Sequence, residues 1–240
     1  MGSGADFAEV ISLLTPYFCC LTVDLPGHGL TQVLAADAYY QMPATAEALI
    51  KLLQQLNIKT CYLVGYSMGG RLALYLTVNF PSYFKQVILE SASPGLKTAS
   101  ARTARIEQDL QLAQTLESSD FPTFLTRWYA NPLFASIKNQ PQYEAMIERR
   151  LNNNPLLLAK SLSHMGTGKQ PNLWNKLNNL STSLLLIVGK LDHKFVAINQ
   201  EIAQLNQQIK LKIIPQCGHN IHLENPQKLA DILVSNVPDF

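Results

Sequence analysis

Val64-Gly65-Tyr66-Ser67-Met68-Gly69-Gly70 joins the apolar run Cys61-Tyr62-Leu63-Val64 to the helix-like run Arg71-Leu72-Ala73-Leu74-Tyr75-Leu76. The pattern is G-x-S-x-G, and between a strand and a helix it reads as a nucleophile elbow. A turn this sharp strains the serine backbone and crowds its neighbours, so glycine is expected at the flanking positions Gly65 and Gly69. The Ser67 hydroxyl then stands proud of the sheet, over the positive end of the following helix. There the Met68 N–H is placed to donate to a developing oxyanion. Five residues alone say little; their setting between a β-like and a helix-like run makes the motif specific.

The rest of the chain is arranged around that elbow. Asp6 to Leu14 carries Phe7, Val10, Ile11 and Leu14 at helical spacing and is closed by Pro16. Phe18-Cys19-Cys20-Leu21-Thr22-Val23 is a continuous apolar run, predicted as a strand buried on both faces. Pro43 to Leu56 is an amphipathic helix leading into the elbow strand, and Val87-Ile88-Leu89 is a further short strand. Such alternation implies parallel strands with helical crossovers. The rhythm then breaks: from Pro94 to about Gln170 only helix-like segments occur, at Arg102–Leu116, Phe121–Tyr129, Gln142–Leu151 and Pro155–His164. Residues 94–170 are therefore predicted to form a helical cap inserted in a core made of 1–93 and 171–240. Strands resume at Leu184–Gly189 and Lys210–Ile214, with helices over Ala197–Leu205 and Pro226–Val237.

Bulk properties narrow the function. The 240 residues suit one large domain, and a formal charge of +2 from scattered Lys and Arg argues against a general nucleic-acid binder. No apolar run reaches the roughly 20 residues that span a bilayer, and no signal-peptide pattern opens the chain, so a cytoplasmic protein acting on a small molecule is expected. The oligomeric state is not readable. Cys19, Cys20, Cys61 and Cys217 lie in or beside apolar runs, with neither metal spacing nor a disulfide framework.

Serine needs a histidine within hydrogen-bond reach and an acid to orient that histidine. Asp192 follows the strand ending at Gly189, and His219 follows the strand ending at Ile214, which is the Ser, acid, His order that goes with a G-x-S-x-G elbow. Ligands in open parallel sheets bind beyond the carboxyl ends of the strands, where all three fall. Asp192 also suits a loop or helix-cap role, because aspartate favours turns. Cys217, two residues before His219, is an alternative nucleophile without an elbow of its own. Of the other histidines, His28 suits a turn or a site wall, and His164, His193 and His222 suit polar surface or wall positions. No His, Cys or carboxylate cluster has zinc-like spacing, so neither metal nor other cofactor is expected.

The elbow, the acid and histidine positions and the helical insert resemble the α/β-hydrolase superfamily, which implies an α/β fold with a mainly parallel sheet flanked by helices. Narrower stretches resemble the 2-succinyl-6-hydroxy-2,4-cyclohexadiene-1-carboxylate synthase family. They are Asp24-Leu25-Pro26-Gly27-His28-Gly29, Gly65 to Arg71, Ser93-Pro94-Gly95-Leu96, and Trp128-Tyr129 followed by Pro132 and Phe134. Arg150 before Asn152-Asn153-Asn154, Gly189 to Phe195, and Gly218 to His222 complete the set. The resemblance covers essentially the whole chain.

It implies a lyase of menaquinone or phylloquinone biosynthesis that removes a ring proton and eliminates pyruvate from an enolpyruvyl group. In that family's pattern Ser67, activated by His219 and Asp192, acts as a base; the residues alone leave an acylated nucleophile equally open. The substrate carries several carboxylates. Arg71, Arg105 and Arg150 match family positions that clamp carboxylates, for which a planar guanidinium is suited, and Tyr66, Trp128 and Tyr129 match pocket positions.

The family begins with two strands and a third ending in a His-Gly-Phe loop that supplies a second oxyanion donor. Met1-Gly2-Ser3-Gly4-Ala5-Asp6-Phe7 resembles the residues just after that loop, so the sequence is expected to start inside the fold. A lost oxyanion donor costs about 3 to 4 kcal/mol of transition-state stabilisation. The rival expectations are a carboxylic-ester hydrolase of the same fold and an inactive, shortened remnant.

Overall fold

The computed structural model describes residues 1–34 and 36–236; Val237, the predicted last residue of the closing helix, lies outside them. Four apolar runs form the sheet: β1 (Cys61–Tyr66), β2 (Phe84–Glu90), β3 (Ser183–Gly189) and β4 (Ile209–Ile214), all parallel and in the order β1-β2-β3-β4. Between them run α1 (Ala8–Leu14), α2 (Met42–Gln55), α3 (Ser67–Asn79), α4 (Ala99–Ser118), α5 (Phe121–Tyr129), α6 (Tyr143–Leu151), α7 (Pro155–Met165), α8 (Trp174–Leu177), α9 (His193–Ala203), α10 (Ile221–Glu224) and α11 (Pro226–Asn236). No strand lies between Glu90 and Ser183 among the described residues; α4 to α7 fill most of that interval.

The apolar stretches Val87–Leu89 of β2 and Leu184–Val188 of β3 follow from burial on both faces. Val87, Leu89, Leu184 and Leu186 point into a core with α2 and α3. Ile88, Leu185 and Ile187 point the other way, onto Val10 and Leu14 of α1 and Leu229, Ile232 and Leu233 of α11.

Phe18–Val23 is not a strand. Cys19–Val23 make no ladder hydrogen bonds among the described residues and are exposed, Leu21 at 52%. Apolar composition favours a strand only where a neighbour offers hydrogen bonds, and the outer edge of β1 faces this segment across a cleft lined by both. Cys19 and Cys20 are accordingly exposed thiols rather than buried small hydrophobes. A second departure is the start of α9, at His193 rather than Ala197, because Asp192 caps it: Oδ1 accepts the Phe195 N–H at 3.2 Å.

Candidate active site

The elbow is built as the residue types require, with one exchange. Ser67 begins α3 with φ of +47°, a strained left-handed conformation for a residue with a side chain. A Cβ on Gly65 would lie 2.6 Å from the Gly69 carbonyl oxygen and 2.8 Å from the Ala73 methyl. The other crowded position is Gly70, where a Cβ would meet the Ala92 methyl at 2.6 Å, whereas a Cβ on Gly69 would meet nothing within 4 Å. Close packing of α3 on β1 and β2, rather than the turn itself, therefore demands the second glycine.

The strand ends bring three side chains into line. His219 Nε2 lies 3.1 Å from Ser67 Oγ, and His219 Nδ1 lies 2.6 Å from Asp192 Oδ2, with both Asp192 and His219 buried. Backbone bonds knit the two loops together: Lys190 N–H donates to Ile214 O at 2.8 Å and Leu191 N–H to Cys217 O at 2.9 Å. Asp192 thus both caps a helix and orients an imidazole, one oxygen for each task. Phe195 packs on His219 at 4.8 Å between ring centroids. Such an arrangement can remove a proton through the serine oxygen or attack a carbonyl with it. Cys217 is buried, and burial pushes its thiol up to about 11, which keeps it protonated and unreactive.

A cavity of about 1720 Å³ is lined by all ten residues singled out in the sequence: Ser67, Met68, Tyr66, Arg71, Arg105, Trp128, Tyr129, Arg150, Asp192 and His219. The three arginines differ in electrostatic standing. Arg150 is buried and paired with Asp6 (Nη2 to Oδ2, 2.6 Å; Nη1 to Oδ1, 2.9 Å), and its Nε donates to the Tyr129 hydroxyl at 3.0 Å. Burial acts to raise the Asp6 carboxyl, but Arg150 outweighs it and holds that carboxyl below the usual range. Arg105 pairs with Asp109 at 2.7 Å on α4. Arg71 has no carboxylate partner among the described residues: Nη1 donates to the Met165 carbonyl at 3.0 Å, and burial followed by the nearby Arg105 charge lowers its pKa to about 10.

Tyr66 is more than a wall. Its ring lies 5.3 Å from that of His219 and 4.4 Å from that of His222, and its hydroxyl accepts from Asn220 Nδ2 at 2.8 Å. Trp128 stacks on Phe124 and tilts against Phe134, so it packs α5 as well as lining the cavity. His222 is a wall residue rather than a surface one: it lines the cavity while buried, with Nδ1 2.8 Å from Glu90 Oε1. Asp6, Glu90 and Glu224 were not singled out in the sequence. A carboxylate closing the apolar run Val87-Ile88-Leu89-Glu90 was the available signal for one of them.

Comparison with known proteins fits this architecture. Residues 1–226 match the family model described as alpha/beta hydrolase fold. The 2-succinyl-6-hydroxy-2,4-cyclohexadiene-1-carboxylate synthase of Serratia proteamaculans is 33% identical over 92% of this chain and 84% of its own length. The synthase of the same name from Escherichia coli O1:K1 is 35% identical over 89% of this chain and 82% of its own. A solved structure titled "Structure of MenH from S. aureus" superposes with a TM-score of 0.92 at 32% identity, covering 97% of this chain and 88% of that one. At these identities and coverages the resemblance is one of descent: the chain belongs to the 2-succinyl-6-hydroxy-2,4-cyclohexadiene-1-carboxylate synthase family, within the α/β-hydrolase fold.

Proposed function

We propose that the protein is a carbon–oxygen lyase of menaquinone or phylloquinone biosynthesis. Its substrate is 2-succinyl-5-enolpyruvyl-6-hydroxy-3-cyclohexene-1-carboxylate and its products are pyruvate and 2-succinyl-6-hydroxy-2,4-cyclohexadiene-1-carboxylate. The observation that carries this reading is Arg71: a buried guanidinium that makes no salt bridge among the described residues, the nearby Asp109 being paired with Arg105, in the cavity that holds Ser67 and one helical turn from it. A desolvated cation whose hydrogen-bond partner is a neutral carbonyl is stabilised by an anionic ligand.

In this reading Ser67 Oγ, with its proton drawn to His219 Nε2, takes a proton from the substrate ring. The electron pair shifts through the ring double bond and expels the enolpyruvyl oxygen. The departing enolate regains a proton from the site and leaves as pyruvate, so no net proton is gained or lost. Asp192 holds the imidazole in the tautomer that accepts from serine and stabilises the imidazolium. Met68 N–H serves the developing negative charge, and Arg71, with Arg105, receives carboxylates. Arg150 contributes through a guanidinium shared with Asp6. Residues 94–170 act as a cap over the site. The partner is thus a small polyanion in the cytoplasm; no helix among the described residues is long and apolar enough to cross a membrane.

The test is to incubate purified protein with the enolpyruvyl substrate and follow pyruvate by a coupled dehydrogenase. Release that vanishes in Ser67→Ala supports the reading. Absence of release above that control overturns it, and burst acylation of Ser67 by an activated ester would then favour the hydrolase.

A further inference from the structure

Glu90 ends β2 in register with Tyr66 of β1, wholly buried beside the apolar layer that α1 and α11 pack onto. A carboxylate taken out of water needs partners, and among the described residues His222 supplies both hydrogen bonds that Glu90 makes, each to Oε1, while Oε2 is buried without one. Oε1 accepts the His222 backbone N–H at 3.1 Å and pairs with its Nδ1 at 2.8 Å. The His222 ring is held between Phe7, stacked at 4.4 Å with 10° between planes, and Tyr66, also at 4.4 Å. His222 belongs to α10, whose last residue, Glu224, accepts the N–H groups of Gly218 at 2.7 Å and Asn220 at 3.1 Å. Those two N–H groups flank His219. A continuous set of contacts therefore runs from the end of β2 through His222 and Glu224 to the histidine facing Ser67.

We propose that Glu90, His222 and Glu224 are positioning residues: the Glu90–His222 pair pins α10 to the sheet against the Tyr66 ring, and Glu224 uses that anchorage to set His219 against Ser67. This rests on reading Ser67, His219 and Asp192 as the reacting line. A pair kept only for stability is a poor use of a buried carboxylate, since apolar residues of similar volume serve as well or better. A pair kept for geometry is different, because its hydrogen bonds admit one orientation of α10, and apolar packing admits several. The line it serves is sensitive to displacement, a 1 Å error costing about 100-fold in rate.

The test uses two variants of the full chain. Glu90→Met with His222→Phe replaces the pair by apolar groups and keeps a flat ring between Phe7 and Tyr66. Glu224→Ala cuts the second link at a half-buried position. For each, the folded protein is assayed for kcat and KM of pyruvate release, and the low-field proton resonance of the 2.6 Å His219–Asp192 bond is recorded by NMR. Both variants are expected to lower kcat by about 30- to 100-fold with KM within about threefold, and to shift or broaden the low-field line. Rescue is expected in Glu224→Gln, which retains an acceptor for Gly218 or Asn220. If either folded variant keeps kcat within about threefold and the line unmoved, the positioning role is overturned. The resonance needs no substrate, so a wild type that releases no pyruvate fails the proposed reaction while leaving this inference testable.

Discussion

Arg71 binds two predictions of opposite sign. Its charge is desolvated and close to Arg105, so Arg71→Gln should stabilise the protein without substrate by about 1 to 3 kcal/mol, read as a rise in Tm. The same change should lower kcat/KM for the anionic substrate by about 100-fold, mostly through KM, as expected when a charge-assisted contact to substrate is lost. His28 supplies a pH dependence. It is buried with Nδ1 3.2 Å from the Pro26 carbonyl, and burial, aided by neighbouring cations including Arg150, lowers its pKa to about 3. The folded protein therefore keeps it neutral, whereas the unfolded chain protonates it below its ordinary value of 6.5. Stability is full above pH 6.5 and falls as the pH drops towards 3. The loss should reach about 2 kcal/mol by pH 5. Asparagine keeps a nitrogen at the Nδ1 position without titrating, so His28→Asn should flatten the fall in Tm between pH 7 and pH 5.

At the scale of elements, Asp192 divides helix capping from catalysis. Asp192→Asn leaves a side-chain oxygen for the Phe195 N–H, so α9 and Tm should change little. The amide cannot hold His219 in the required tautomer, and kcat should fall by about 10⁴. Circular dichroism melting beside the pyruvate assay separates the two. This double duty was only half visible beforehand: cap and acid stood as alternatives for Asp192, and the start of α9 four residues early shows that they coincide. β3 was legible because a strand buried on both faces appears as an uninterrupted apolar run, whereas β4 shows an alternation of Lys210 and Lys212 with Ile209, Leu211 and Ile213, and β1 was marked by the elbow that follows it. β2 was recognised only at Val87–Leu89, since Lys85 and Gln86 mask its beginning. Phe18–Val23 has the same composition and forms no strand, because periodicity and apolarity do not register whether a pairing edge lies within reach. The cavity-lining arginines were found through family motifs, but their unequal pairing was not, as Asp6 lies 144 residues from Arg150.

Across the whole molecule, Asp6 ties the N-terminal segment to α6 through Arg150 and Arg149. Asp6→Asn would leave the buried Arg150 without its counter-charge and with one acceptor oxygen in place of two. A loss of about 3 to 5 kcal/mol is expected, or about 10 °C in Tm for a chain of this size, measured by calorimetry. The edge of β1, unpaired among the described residues, has its own consequence at this scale. Val64 is 37% exposed there, and Leu21 and Val23 lie bare across the cleft. An apolar edge with free N–H and C=O groups is a template for a strand from another molecule. Activity in storage should then decay by encounter rather than by melting: the half-life should shorten as protein concentration rises at fixed temperature, and Val64→Lys should lengthen it. A sample that outlasts gentle warming when dilute would be lost in the cold when concentrated.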